Sequence, residues 1–585
     1  MKIKHLFGLA VIAAMTASCS SNEDLGTAGP GTGTNETGVG YATFTINLPS
    51  TNGTRAGDPT YDQGTSDEYD VNDVTLLIFK KGEATKEGDF TFVEKADLGT
   101  MAPWKAEGSH GITASATITA KLTGVALTSE GSPSDYYALA ILNNKNSAGE
   151  DKITLPTSSP TSTVTYGSWN AASNADETNL KDKGFYMANA PVFVAGGEPT
   201  TLVNIDKVYA TKQKAETNAA TTIHVERGLA KVSIASNAFP STALKPTGTK
   251  YNEDEVKITA WNLDVTNKST FPIHKTAGLK NTNFSTIWSN TASTTGASVT
   301  RFVDGSNPVF KRVYWGVDPN YSDNLTTVAA CKGAFNILEP NATIDGAADK
   351  PQYCLENTFD IEHMKQGQTT RVVFKATYKP KGFTAGETFY KIGNSTDLWS
   401  EANLKTQIAA KAAEVLGASS AITVDLDATE NDIKNNAGTK LLVKENVKNG
   451  GTAVNDAQIA DINAKLGLKA AGTDPSKDPI VGIATYKSGE SYYIARIKHF
   501  GALTPWTEGQ ETYGTNNDAN NTKYLGRYGV LRNNWYELTI GSVSGPGTPD
   551  VPTIKPDEPD DESYKYISVS VKILSWAKRS DTVDL

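Results

Sequence analysis

The segment YATFTINLPSTNGTRAGDP, residues 41–59, opens on a strand and closes on a loop. Ala42, Phe44, Ile46 and Leu48 alternate with Thr43, Thr45 and Asn47, the period-two pattern of a strand with one buried face. Asn52, Gly53 and Thr54 then form a turn-rich loop that presents Arg55, followed by Ala56. Arg55 is the only Lys or Arg between Lys4 and Lys80. A core-quality strand so near the start, followed by an exposed arginine, is the feature around which the rest of the chain is read.

The chain has 585 residues, enough for about two to four domains with sizeable cores. Thr and Tyr favour strands while Gly and Asn favour turns, so the composition reads as mainly β. A net charge of -10 argues against nucleic acid as the partner. At the N-terminus, Lys2 and Lys4 precede an apolar run from Leu6 to Met15 that is too short to span a bilayer. Thr16-Ala17-Ser18-Cys19 and a polar stretch follow, a pattern similar to a bacterial lipoprotein signal over 1–19 with Cys19 as the lipidated residue. Cys331 and Cys354 are the other cysteines. Export would allow a disulfide between them, and two small buried hydrophobes fit the sequence equally.

From 70 to about 220 the chain reads as short strands between turn-rich loops: Val74–Phe79, Tyr136–Leu142 and Gly184–Phe193. That spacing predicts a β-sandwich rather than alternating strands and helices. A second β unit begins at Ile223–Ile234 and continues through 257–265, 368–378, 492–500 and 535–540. Between about 380 and 490 the texture changes. Ser400 caps a helix with Leu404, Ile408, Ala412 and Val415 on one face, ended by Gly417. Asn455 precedes a shorter one with Ile459, Ile462 and Leu466, ended by Gly467. These read as an insertion in the second sandwich. Residues 544–563 hold five prolines and six acidic residues and are expected to be an extended, unpacked spacer. Beyond it, Ile567, Val569, Val571 and Ile573 alternate with Ser568, Ser570 and Lys572, a second strand with an apolar face.

Motifs for chemistry are sparse. The sequence contains no phosphate loop, dinucleotide fingerprint, zinc-protease helix or nucleophile elbow, and its six histidines never fall at metal-ligand spacing. His363 beside Glu362 reads as structural. Asp425–Asp432 has the acidic alternation of a calcium loop but lacks Gly at its sixth position, and Asn436 stands where the twelfth needs an acid. The sequence therefore points to no catalytic residue, cofactor or metal.

The two alternating strands form a matched pair. If cleavage at Arg55-Ala56 removed Ala42–Leu48 from its sheet, the groove would expose core and two strand edges, and Ile567–Ile573 of another chain has the pattern to fill it. The plain alternative is that both are ordinary edge strands of one molecule.

Several stretches tip this choice. Tyr136–Asn143, Val225–Val232 (VERGLAKV), Tyr353–Thr358, Thr369–Ala376 and Tyr528–Tyr536 (YGVLRNNWY) resemble signatures of the Bacteroidales fimbrillin family of FimA/Mfa-like pilus subunits. The length, the insertion and the Pro-rich spacer look most like the Mfa-type major subunit of short fimbriae. The resemblance implies two transthyretin-like β-sandwiches in tandem, with a small helical insertion in the second. The segments it implies are a propeptide 20–55 with plug strand 41–48, domains 56–222 and 223–543, the spacer 544–563 and a donor-strand segment 564–585. It further implies a lipoprotein precursor exported to the outer membrane, cut after Arg55 by an arginine-specific protease, whose mature form stands in extracellular fimbriae. Implied partners are further copies of the chain, accessory, tip and anchor subunits, and host or bacterial surface receptors, in support of adhesion and biofilm formation. The competing expectation is a monomeric surface lipoprotein with Ig-like domains that binds glycan or host protein.

Overall fold

The computed structural model describes residues 39–48, 66–277, 312–499 and 525–560, with interruptions at 107–113, 130–132, 158–162, 173–175, 194–198, 236–242, 248–249, 322–323, 361, 418–420 and 476–477, and the backbone of 567–574. The chain is mainly β, arranged in several sheets.

The first sheet contains nine strands among the described residues: β1 (Gly40–Asn47), β2 (Val74–Lys80), β3 (Thr91–Asp97), β4 (Lys105–Ala106), β5 (Ala114–Leu122), β6 (Tyr136–Leu142), β7 (Met187–Asn189), β8 (Val203–Asn204) and β9 (Thr221–Arg227). They lie in the order β3-β2-β6-β7-β9-β1-β5-β4, with β8 alongside β6. The sheet curls until its two sides meet: Glu94 of β3 accepts hydrogen bonds from the backbone N–H groups of Thr123 (2.9 Å) and Gly124 (2.9 Å), just past β5. Inside the curl lies a core built from Phe44, Ile46, Val74, Leu76, Ile78, Leu122, Ala138, Ala140, Met187, Ile223 and Val225. Both β2 and β6 also bury their outer faces, Leu77 and Phe79 with Leu139 and Ile141, beneath Tyr166, Trp169 and Phe185. That second burial is why VTLLIF and YALAIL are continuous apolar runs rather than alternating ones.

The chain leaves this sheet without leaving its strand. After β9 ends at Arg227, Gly228 leads into β10 (Leu229–Ile234), which belongs to a different sheet. Residues 223–227 thus pair within the first sheet, and the change of sheet comes at Gly228, past the 222/223 boundary expected from sequence. β10 is joined by β12 (Gln352–Leu355), β15 (Trp535–Val543) and β16 (Ile567–Leu574) in the order β12-β10-β15-β16. Opposite it lies a three-stranded sheet of β11 (Glu255–Asp264), β13 (Arg371–Lys379) and β14 (Glu490–Arg496). Val232, Trp261, Phe374, Tyr493, Tyr536 and Leu538 fill the space between the two.

The 380–490 stretch has a core of its own, with Leu404, Ile408, Ala412, Ile459 and Ile462 among its members. Ser400 Oγ accepts from Asn403 N at 3.3 Å to start α3 (Glu401–Leu416), and Gly417 ends it in the left-handed region at φ 63°. Asn455 and Gln458 form a reciprocal capping box at α4 (Asp456–Lys465). The earlier short helices used below are α1 (Ser66–Tyr69) and α2 (Lys212–Glu216).

Candidate assembly site

β1 is an interior strand. Gly40–Asn47 pair antiparallel with Leu122–Ser115 of β5 on one side, and Phe44–Asn47 pair in parallel with Thr221–His224 of β9 on the other. Ala42, Phe44, Ile46 and Leu48 are at most 3 % exposed and belong to the first core. The alternate residues lie on the outer face. There Thr43 Oγ1 lies 2.8 Å from Thr119 Oγ1 and also donates to Ala215 O of α2 at 2.9 Å, and Thr45 Oγ1 lies 2.8 Å from Thr117 Oγ1. Tyr41 and Tyr209 exchange backbone hydrogen bonds at 2.7 and 2.8 Å beside the start of β1. Gly40 is sterically obligatory, since a Cβ there would lie 2.3 Å from Val208 Cγ1.

Past β1, β9 runs into a buried charge network. Glu226 receives Arg312 Nε at 2.7 Å and faces His274 Nδ1 at 2.9 Å. Burial alone would raise its carboxyl pKa, but Arg312 and His274 outweigh burial and hold it at about 2. Arg532 pairs with Glu356 and donates to Thr270 Oγ1 at 2.8 Å. Asn533, at φ 60°, accepts from Arg227 N at 3.1 Å and donates from its own backbone N–H to Leu229 O at 2.7 Å. The VERGLAKV and LRNNWY stretches therefore meet where one sheet gives way to the next. Residues just after the Arg55 loop are tied to the same place. Glu68 of α1, fully buried, pairs with Lys231 at 2.7 Å and accepts from Tyr353 OH at 2.5 Å, and its carbonyl accepts from Arg227 Nε at 2.8 Å.

The C-terminal spacer is packed, contrary to the expectation from its prolines. Val551 and Ile554 are each 1 % exposed, and Thr548 and Tyr492 form a backbone bridge with bonds of 2.9 and 2.8 Å. Arg371 donates to Pro552 O, and the backbone N–H of Asp560 donates to Met364 O at 3.1 Å. Composition misled here because two apolar residues sit among the prolines and the chain's backbone bonds are met by 340–371 and 486–493. After this strap, β16 runs antiparallel to β15 of its own chain. Val569, Val571 and Ile573 stand opposite Ile540, Leu538 and Tyr536 in the ladder. The seat of β16 is the open side of β15, an edge of that sheet.

Cys331 and Cys354 are separate, buried free thiols, so of the two readings the sequence left open the structure adopts the unpaired one. Cys331 lies with Leu325, Phe335 and Ile554, whereas Cys354 lies with Ala230 and Trp261. Burial pushes the Cys331 thiol up to about 11. Asp427–Ala428 and Asn431–Asp432 form a small hairpin. Among the described residues no group of three or more His, Cys, Asp or Glu is placed to hold a metal ion, and no helix is long and apolar enough to cross a membrane. Cys19, Arg55 and Ala56 lie outside the described residues, and of Ile567, Val569, Val571 and Ile573 only the backbone is described. Sequence reasoning did not reach the walls of the β1 slot, β5 and β9, nor Gly40, Thr117 and Thr119. Period-two patterns give a strand's face and not its neighbours.

Residues 484–582 match the family model described as major fimbrial subunit protein type IV, fimbrillin, C-terminal. No curated protein matches the chain. Among solved structures, the chain is similar to a putative cell adhesion protein from Parabacteroides distasonis ATCC 8503, at 11% identity and TM-score 0.38 over 92% of this chain and 98% of that one. It is similar to a fimbrilin from Porphyromonas gingivalis W83 at 11% identity and TM-score 0.33, covering 92% and 99%. Its likeness to the tip fimbrial protein Mfa3 from Porphyromonas gingivalis has 11% identity and TM-score 0.26, covering 92% and 100%. The segment that matches the fimbrillin C-terminal model includes the β14, β15 and β16 strands.

Proposed function

We propose that this chain is a fimbrillin, a structural fimbrial subunit that polymerises by strand exchange after loss of its first strand. In this reading it is exported as a lipoprotein through Cys19, and an arginine-specific protease cuts between Arg55 and Ala56. Residues 20–55 depart with β1, and Ile567–Leu574 of another copy takes the vacated place. The two curled or facing β units are then tandem transthyretin-like sandwiches, and the polymer serves adhesion and biofilm formation at the cell surface together with accessory, tip and anchor subunits.

The observation that carries the reading is the interior position of β1, hydrogen-bonded on both sides and buried along one face. A strand placed there contributes roughly 1.5–3 kcal/mol for each large aliphatic or aromatic side chain it buries. Removing it opens two strand edges and a hollow that only another apolar strand satisfies. Because the strand comes from a neighbour and the neighbour's slot takes another, the contact is head-to-tail and grows an open filament. A second reading, the monomeric surface lipoprotein that binds glycan or host protein, draws on the pairing of β16 with β15 of its own chain.

The experiment treats the purified precursor with an arginine-specific protease and looks for SDS-resistant ladders. Strand exchange requires ladders from the unaltered chain and none from Arg55→Ala or from a chain ending at residue 563. Ladders from either variant would refute it, and a chain that stays monomeric after complete cleavage would favour the second reading.

A further inference from the structure

Loss of β1 would leave β5 without a ladder to the rest of its sheet. Among the described residues β5 is paired with β1 along its length and with the two-residue β4 at one end. In the order β9-β1-β5-β4, taking β1 away therefore separates β5 and β4 from β9. Apolar contact holds β5 only weakly, because Ala114, Ala116 and Ala120 are three of the five residues it turns to the first core. We infer that Glu94 of β3 is a clasp that keeps β5 standing as the outer wall of the slot when β1 is absent. This rests on the strand-exchange reading and goes beyond it by naming what preserves the vacated slot.

Three features meet to build the clasp. The Glu94 carboxylate accepts from Thr123 N–H at 3.0 and 2.9 Å, from Thr123 Oγ1 at 2.8 Å and from Gly124 N–H at 2.9 Å. Hydrogen bonds to a carboxylate are shorter and stronger than those between neutral groups. A bulge in β3 turns this stretch toward Gly124. Ile78 stands opposite Glu94 and Phe79 opposite Phe92, which leaves Val93 out of register and adds twist at the sheet's edge. Gly124 then permits the approach, since a Cβ there would lie 2.9 Å from Val93 Cγ1.

The clasp is fixed to parts of the sheet that do not depend on β1. β3 is paired with β2, and β2 with β6. On the other side of the seam, Ala126 N–H donates to Tyr136 Oη at 2.9 Å and Thr128 N–H to Val208 O at 3.1 Å. Thr123 and Gly124 thus join the end of β5 to chain that is already pinned, and Glu94 is the anchor nearest the strand. A seam that had to open before β1 could leave would instead be a gate, with β5 swinging out alongside β1. The two roles separate by experiment.

Glu94→Ala, the pair V93C/G124C, and all three changes together are made in the full-length precursor. The closeness of Val93 to residue 124 puts the cysteine pair within disulfide reach across the seam. Each chain is cut with the arginine-specific protease, and the rate of SDS-resistant ladder formation is followed with and without reductant, beside urea unfolding of the uncut precursor. The uncut Glu94→Ala chain keeps the β1–β5 ladder and is expected to fold, whereas its ladders should form about tenfold more slowly or worse. The oxidised staple should restore the rate to Glu94→Ala, lose that effect on reduction, and leave the rate unchanged where Glu94 is present. Ladders from Glu94→Ala at the unaltered rate or faster overturn the clasp, as does a staple that fails to rescue. An oxidised staple that blocks ladders with Glu94 present shows a gate and also overturns it. Where Glu94→Ala alone fails to fold, the stapled triple variant is cut oxidised and then divided, one half reduced; equal ladder rates from the two halves overturn the clasp. Absence of ladders from the unaltered chain instead fails the strand-exchange reading.

Discussion

Replacing Phe44 with Ala separates the precursor's stability from the polymer's. Phe44 is fully buried in β1, opposite Ile118 of β5 and beside Thr221 of β9. A buried Phe→Ala change costs about 3–5 kcal/mol, because it loses transfer energy and leaves a cavity. With a urea dependence of about 2–3 kcal/mol per molar, that cost moves the midpoint of the affected transition by about 1–2.5 M. Thr45→Ala, on the outer face with one exposed hydroxyl contact, loses only about 0.5–1.5 kcal/mol. The assay is urea unfolding of purified precursor followed by circular dichroism, run beside heat and SDS resistance of the assembled, cleaved protein. The expected outcome is a large shift for the Phe44→Ala precursor, a small one for Thr45→Ala, and polymers indistinguishable from the unaltered one, because in the strand-exchange reading residue 44 would have left with the propeptide. A shift for Phe44→Ala no larger than that for Thr45→Ala would refute the placement of β1. Equal weakening of the polymer would refute its departure.

Four further outcomes follow from the packing. The carboxyl pKa of Glu226 is about 2 when folded, below its ordinary 4.5, so its contribution is full above about pH 4.5 and is lost as pH falls through 2; thermal melts from pH 6 to 2 should show this loss, reduced in Glu226→Gln. Glu226→Gln itself should cost about 3–5 kcal/mol at neutral pH by leaving buried Arg312 without its acid, which a denaturant titration reads. Glu68→Gln should destabilise by a similar amount through Lys231, 5 % exposed at its side chain, and adding Lys231→Met should recover much of the loss in a double-mutant cycle. Ile554→Ala should cost about 2–5 kcal/mol if the strap is a packed element, whereas a solvated spacer would show a change within about 0.5 kcal/mol.

The alternation of Ala42–Leu48 gave the buried face of β1, and the caps at Ser400 and Asn455 gave both insertion helices, because face and cap are local properties of the chain. What escaped the sequence depends on partners far along it. β5 lies more than sixty residues beyond β1 and β9 nearly two hundred, so nothing in residues 41–48 distinguishes an edge from an interior place. The charge network was invisible for the same reason: Glu226 meets Arg312, and Arg532 meets Glu356, only through the fold. The strap shows a composition rule failing for a nameable cause. Prolines removed donors, yet Val551 and Ile554 still found cores to enter.

On the proposed strand exchange, the interior position of β1 would also impose order on assembly. An edge strand can be joined by a newcomer while it stays in place, so a sheet edge invites growth before any processing. An interior strand cannot: β5 faces Gly40–Asn47 and Thr221–His224 of β9 face Phe44–Asn47, and an incoming strand finds no open partner there until these bonds are gone. β16, meanwhile, has the open side of β15 available on its own chain and is paired there along its length. In the strand-exchange reading, exchange would trade an edge pairing for an interior one, with hydrogen bonds on both sides of the strand and a core to enter. That trade would favour the filament only after the first occupant had been cut away, so the proposed cleavage after Arg55 would set the direction of the reaction.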